Sequence, residues 1–116
     1  MLNALDAAGL PRPVAQHIVM DKGGSLGRVD FAYPGAKLAI EADSHTWHLG
    51  PAAFEADRIR DQRLIAAGWA VIRVTWLQLN HDLPQFLSAV RTGLTARFPG
   101  KTSRQVTGIT RKTSWG

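Results

Sequence analysis

The sequence predicts a single α/β domain built on one mixed four-stranded sheet flanked by helices. Two segments alternate apolar and polar residues on either side of a Pro-Gly turn, as paired, half-buried strands do. A helix-length segment between Pro51 and Gly68 separates them from a β-branched run, so a fourth strand follows by a crossover rather than a hairpin. The chain has 116 residues, of which 45% are hydrophobic, enough for one core and too few for two.

The elements follow in order. Residues 3–10 read as a short helix stopped by Gly9 and Pro11. Pro13–Met20 is a strand, and Asp21-Lys22-Gly23-Gly24 a turn. In the strands Leu26–Tyr33 and Lys37–Asp43, Val29, Phe31, Tyr33, Leu38, Ile40 and Ala42 share one side. Arg28, Asp30, Ala32, Ala39, Glu41 and Asp43 share the other. Ser44–Gly50 is a polar loop containing an aromatic residue. Pro51 suits the first turn of a helix and Gly68 its left-handed cap, which gives a helix over Pro51–Ala67. Trp69–Trp76 is a strand, and Leu83–Phe98 a last helix ended by Pro99-Gly100. The order is α-β-β-β-α-β-α, without internal repeats. Residues 1–98 are expected to form the domain and 99–116 a basic, disordered tail.

Composition excludes several classes of chemistry. There is no cysteine, so disulfides, thiolate zinc sites, iron–sulfur clusters and cysteine nucleophiles are all ruled out. The longest apolar run, Leu64 to Ile72, is broken by Gly68 and falls far short of the roughly 20 residues of a membrane span. With no signal peptide at the start, a cytoplasmic location is expected. All 9 acidic residues precede Leu83, where the basic residues nearly balance them. The stretch from Leu83 onward carries Arg91, Arg97, Lys101, Arg104, Arg111 and Lys112 with no acid. A basic end on a near-neutral body suits a polyanionic partner such as nucleic acid, or serves only to keep the chain soluble.

The acids of the paired strands hold the chemistry. If Gly35-Ala36 is a two-residue hairpin loop, Pro34 faces Lys37, and counting outward pairs Phe31 with Ile40, Asp30 with Glu41, and Arg28 with Asp43. Asp30 and Glu41 would then stand opposite each other with Asp43 on the same face. Facing like charges need neutralising. A divalent cation such as Mg²⁺, which takes carboxylate oxygens and fills its other positions with water or phosphate, would do so; so would Arg28 inserted between them. His48, just beyond Asp43, has a side chain suited to proton exchange near neutral pH, or is simply exposed. His45 and His48 are three apart, a weak zinc pattern without cysteines or a HExxH pattern. On the helix, Asp57, Arg58 and Asp61 fall on the side of Phe54, Leu64 and Ile65. Acids there need partners, and Arg58 and Arg73 are the candidates by type. A partly buried ion-pair network is the plainer reading, and a supporting role beside a metal the other.

The ordered set Gly27-Arg28-Val29-Asp30-Phe31-Ala32-Tyr33-Pro34, Leu38-Ala39-Ile40-Glu41-Ala42-Asp43, Trp47-His48, Phe54-Glu55, Asp57-Arg58, Arg60-Asp61, Ala67-Gly68-Trp69 and Arg73-Val74-Thr75-Trp76 resembles endonuclease-like domains related to the very-short-patch repair (Vsr) endonuclease. The likeness runs from about Gly9 to Leu79. It implies the restriction-endonuclease-like α-β-β-β-α-β core of the PD-(D/E)XK nucleases and Mg²⁺-dependent cleavage of DNA, with Mn²⁺ able to substitute. By this resemblance Asp30, Glu41 and Asp43 hold the metal and, with His48, form the catalytic set. Arg28 and Arg58 contact phosphates. Asp43 stands where the motif has lysine. The repair endonuclease lacks that lysine too and uses a histidine after a tryptophan, which His48 after Trp47 matches. Its structural zinc ligands and mismatch-reading features are not evident here. Related domains often end longer proteins, so this chain is expected to belong to a larger multidomain protein or to be a short stand-alone form. The competing expectation is a nucleic-acid-binding or regulatory module whose nuclease fold does not cut.

Overall fold

The computed structural model describes residues 1–42 and 51–98, the side chains of Ala53 and Phe54 excepted. The elements are α1 (Leu2–Ala7), β1 (Val14–Asp21), β2 (Gly24–Tyr33), β3 (Leu38–Ala42), α2 (Pro51–Ala66), β4 (Ala70–Val74), α3 (Trp76–His81) and α4 (Leu83–Arg97). The sheet order is β1-β2-β3-β4, antiparallel except for the parallel pair β3 and β4 joined through α2. This is the mixed sheet expected from the sequence. The expectation for residues 99–116 falls outside the described residues.

Between β2 and β3 the register is the expected one, with Phe31 opposite Ile40 and Tyr33 opposite Leu38. The turn itself is wider than a two-residue loop. Pro34 has no N–H to return to Lys37, so only the bond from Lys37 N–H to the Pro34 carbonyl (3.1 Å) forms. Pro34–Ala36 winds into a 3₁₀ turn, and Lys37 closes it with φ +51°.

Two apolar layers cover the sheet. On one side α1 and α4 bury Leu5, Leu10, Phe86, Val90 and Leu94 against Tyr33, Leu38, Ile40 and Val74. Phe86, Val90 and Leu94 recur every fourth residue and make a single helical stripe. Gly93 lies between two of them. A Cβ there would meet Leu38 at 3.3 Å, so the missing side chain lets α4 lie close on β3. On the other side α2 buries Leu64 against Val19, Val29, Ala32, Ala39 and Trp69. Gly68, at φ +93°, ends α2, with Trp69 N–H bonded to the Leu64 carbonyl at 2.9 Å and Gly68 N–H to that of Ile65 at 3.0 Å. This reverse turn delivers the chain into β4.

Three details differ from the sequence expectation. Val29 packs with Ala32 and Ala39 under α2, not with Phe31 and Tyr33. The alternation of β2 therefore slips by one between Val29 and Phe31. The cause is on β1, where Gln16 takes φ +52° between the pairs Ala15–Phe31 and His17–Val29. Ile65 is exposed rather than on the buried side of α2. Finally, the run ending in Thr75-Trp76 leaves the sheet at Val74, and Thr75 caps the added helix α3 through Oγ1, which accepts from Gln78 N–H at 3.0 Å.

β1 and β2 pair over seven positions, whereas β2 and β3 pair over three. Among the described residues, most of the β1–β2 hairpin thus lies beyond the last β2–β3 pair as a two-stranded arm. Its inner side, Val19 and Val29, packs under α2.

Candidate active site

The acids gather where the β2–β3 ladder stops. One step beyond the Phe31–Ile40 pair, Asp30 Oδ2 accepts the N–H of Ala42 at 2.8 Å. A side chain thus takes the place of the next backbone bond and fixes the carboxylate at the end of β3. Glu41 precedes that point on β3 and is 2% exposed. In the parallel ladder its neighbour on β4 is Arg73.

Arginines surround Glu41. Arg60, from α2, donates to Glu41 Oε1, and Arg73 Nη2 lies 3.6 Å from the same oxygen. Arg73 Nε also donates to Asp61 Oδ2 at 2.8 Å; Arg58 stands 3.7 Å from Asp61, and Arg60 lies 3.4 Å from Asp57. Three acids and three arginines therefore alternate between the sheet and α2. Two oxygens are left over: Glu41 Oε2 and Asp61 Oδ1 are buried with no hydrogen-bond partner. Burial, and the nearby carboxyl of Asp61, push the Glu41 carboxyl up to about 7 against the pull of Arg60 and Arg73.

The neutralising cations are thus Arg60 and Arg73, not Arg28. Arg28 is exposed, opposite Ile18 on the arm. The slip in β2 carries it away from the acids. Arg58 and Arg73 do partner Asp61, as expected of acids on the buried side of a helix. The pattern of residues does not point to Arg60. Its only local sign is Asp57 three residues earlier, which gives no hint of Glu41. Asp43, His45 and His48 lie in residues 43–50, outside the described residues. Among the described residues no three His, Cys, Asp or Glu side chains gather to hold a metal ion.

The donor chemistry nevertheless suits a hard cation with two protein ligands. Asp30 commits one oxygen to Ala42, and Glu41 keeps Oε2 without a partner. Mg²⁺ commonly takes one or two carboxylates, with water and phosphate oxygens completing its shell. Among the described residues no helix is long and apolar enough to cross a membrane.

No family model matches the chain. Over 66 residues, 57% of its length, it is 41% identical to the uncharacterized proteins MT2308 and Rv2248 of two strains of Mycobacterium tuberculosis. The matched stretch spans about a quarter (24%) of those proteins. Among solved structures, the catalytic domain of the homing endonuclease I-Bth0305I superposes with a TM-score of 0.63 at 23% identity, covering 83% of this chain and 90% of that one. An α/β fold with one mixed four-stranded sheet between helices, like that of an endonuclease catalytic domain, is therefore what this chain adopts.

Proposed function

We propose that the chain is a metal-dependent endonuclease, related to the Vsr group, that hydrolyses phosphodiester bonds in DNA and acts as one module of a longer protein. The observation that carries this reading is the Asp30 carboxylate held by Ala42 N–H at the end of β3, one residue beyond Glu41, on a fold shared with an endonuclease catalytic domain. Asp30, Glu41 and Asp43 would hold Mg²⁺ or Mn²⁺. The bound metal would lower the pKa of a water and offset charge developing on the phosphate. Asp30 is oriented by Ala42 N–H, and Arg60 and Arg73 keep Glu41 from turning away. His48 would exchange a proton with the attacking water or the leaving oxygen. Arg58 would reach a flanking phosphate. DNA repair and phage defence are both settings for such an activity.

A second reading has a specific observation behind it. Glu41 is already matched by two guanidinium groups, which oppose the approach of a cation. On this reading the fold binds nucleic acid and does not cut.

Calorimetric titration of Mg²⁺ and Mn²⁺ into the wild type and Asp30→Asn, with plasmid nicking followed in parallel, separates the two. The amide oxygen introduced by this substitution still accepts from Ala42 N–H, so the fold is kept while the charge is lost. Metal binding and nicking in the wild type, both lost in the variant, support the endonuclease. Nicking that survives in Asp30→Asn removes Asp30 from the mechanism. No metal binding by the wild type, alone or with DNA, favours the non-cutting binder.

A further inference from the structure

The β1–β2 arm has a side that the described residues leave bare. Val19 and Val29 are buried under α2, but Ile18 and Met20 are 55% and 63% exposed. Arg28 stands opposite Ile18, Gln16 and Lys22 are also exposed, and Lys22 is in the turn at the tip. From Val14 to Val29 the chain has one acid, Asp21. Its Oδ1 is tied into the turn by Gly23 N–H at 2.8 Å.

We infer that this bare side of the arm is a docking surface for duplex DNA, entering the major groove with Gln16, Ile18, Met20 and Arg28 toward the base edges and Lys22 at the phosphate backbone. Two strands about 4.8 Å apart, with their side chains, match a groove about 12 Å wide. The residue types fit the groove as well. Arg and Gln make paired bonds to guanine and adenine edges, and exposed aliphatic groups meet the thymine methyl. Lys22 and Arg28 face a polyanion with Asp21 as the one acid of the arm, its Oδ1 bonded within the turn. The positive φ of Gln16, a residue with a Cβ, is a backbone strain of the kind found at binding sites. A two-fold contact with a second copy would instead set Lys22 and Arg28 against the same cations.

The inference takes from the proposed endonuclease reading only that the nucleic acid is duplex DNA, and it adds where sequence is read. Gly24 to Asp30 is six steps of β2, about 20 Å at ~3.3 Å per residue, or about six base pairs.

The test is fluorescence anisotropy of the full chain with a labelled duplex of about 20 base pairs, in EDTA, across a salt series. Lys22→Ala/Arg28→Ala is expected to weaken binding at least ~10-fold and to lower the slope of log K against log salt by roughly 2, about 0.9 for each lost cationic contact. Ile18→Asp is expected to weaken it as well, while Arg12→Ala, an exposed cation outside the arm, lowers affinity far less than the double variant. These side chains are exposed, and thermal melts equal to wild type would confirm intact folds. Unchanged affinity and slope in the double variant overturn the inference, as does an absence of wild-type binding. So does self-association, seen by sedimentation, that Ile18→Asp abolishes without touching DNA affinity. The endonuclease reading fails separately. Arm variants that weaken binding while the wild type never nicks leave the arm standing and remove the nuclease.

Discussion

The two sides of the sheet are built on opposite principles, and β3 belongs to both. Toward α1 and α4 it turns Leu38 and Ile40 into a layer of buried apolar side chains with no buried acid among the described residues, the part-buried Arg91 donating to the Ala8 carbonyl. Toward α2 it turns Ala39 and Glu41, and there a smaller apolar cluster shares the interface with Glu41, Asp61 and their arginines. One strand thus anchors the fold with one set of residues and displays acids with the set between. Stability and chemistry are separated by alternation along a single strand rather than by distance.

The apolar side should yield the largest loss. Phe86 is fully buried there, and Phe86→Ala is expected to cost about 3–5 kcal/mol, read as a fall in the urea midpoint without change of slope. The charged side responds differently. Arg73→Met removes the cation that touches both Glu41 and Asp61 but keeps the stem; a loss of about 3 kcal/mol is expected at pH 8. The loss should shrink at pH 5, where the folded protein already holds Glu41 protonated and Arg73 has one carboxylate fewer to neutralise, whereas the Phe86→Ala loss should be the same at both pH values. Equal behaviour of the two variants would erase the distinction between the sides.

The wild type carries the same signature. The Glu41 carboxyl is raised from 4.5 to about 7 on folding, so between these values the folded protein holds a proton that the unfolded chain releases. Its contribution to stability therefore falls as pH rises through that window. In EDTA, urea midpoints from pH 4.5 to 7 should show this decline relative to Glu41→Gln, which cannot titrate.

Smaller effects sharpen the boundary. Gly27 has φ +124°, and a Cβ there would lie 2.9 Å from Arg60 Cδ. Gly27→Ala should cost about 1–3 kcal/mol and disturb the arginine network from the arm side. At the far end of the scale, the exposed Arg12–Asp6 pair spans 2.8 Å, and Arg12→Ala should move stability by less than about 1 kcal/mol.

Much of this is legible in the sequence. Alternation and the Pro-Gly turn supply the register that sets Phe31 opposite Ile40, one step short of Asp30 and Glu41. The burial of acids on α2 is visible from the angular position of Asp61. What escapes has physical causes. The slip at Val29 arises from a left-handed Gln16, and a residue with a Cβ gives no warning of that conformation. Arg60 reaches Glu41 across tertiary space, which no local spacing encodes. The helix α3 does announce itself: Thr75 and Gln78 carry the spacing of an N-terminal cap, but the preceding β-branched run and Trp76 read more strongly as strand.

The uneven lengths of the ladders also bear on how the chain assembles. The β1–β2 hairpin joins neighbours in sequence across a two-residue turn, a local event on the microsecond scale. The β3–β4 pairing must first close a loop of about thirty residues that contains α2, at an entropic cost that local pairing does not meet. Only three β2–β3 pairs couple the two events. Folding is therefore expected to start with a formed hairpin waiting for a slower closure. Substitutions at Val29, in the hairpin, and at Val74, in the closing strand, should both slow folding. Those at Leu94, in α4, should chiefly speed unfolding.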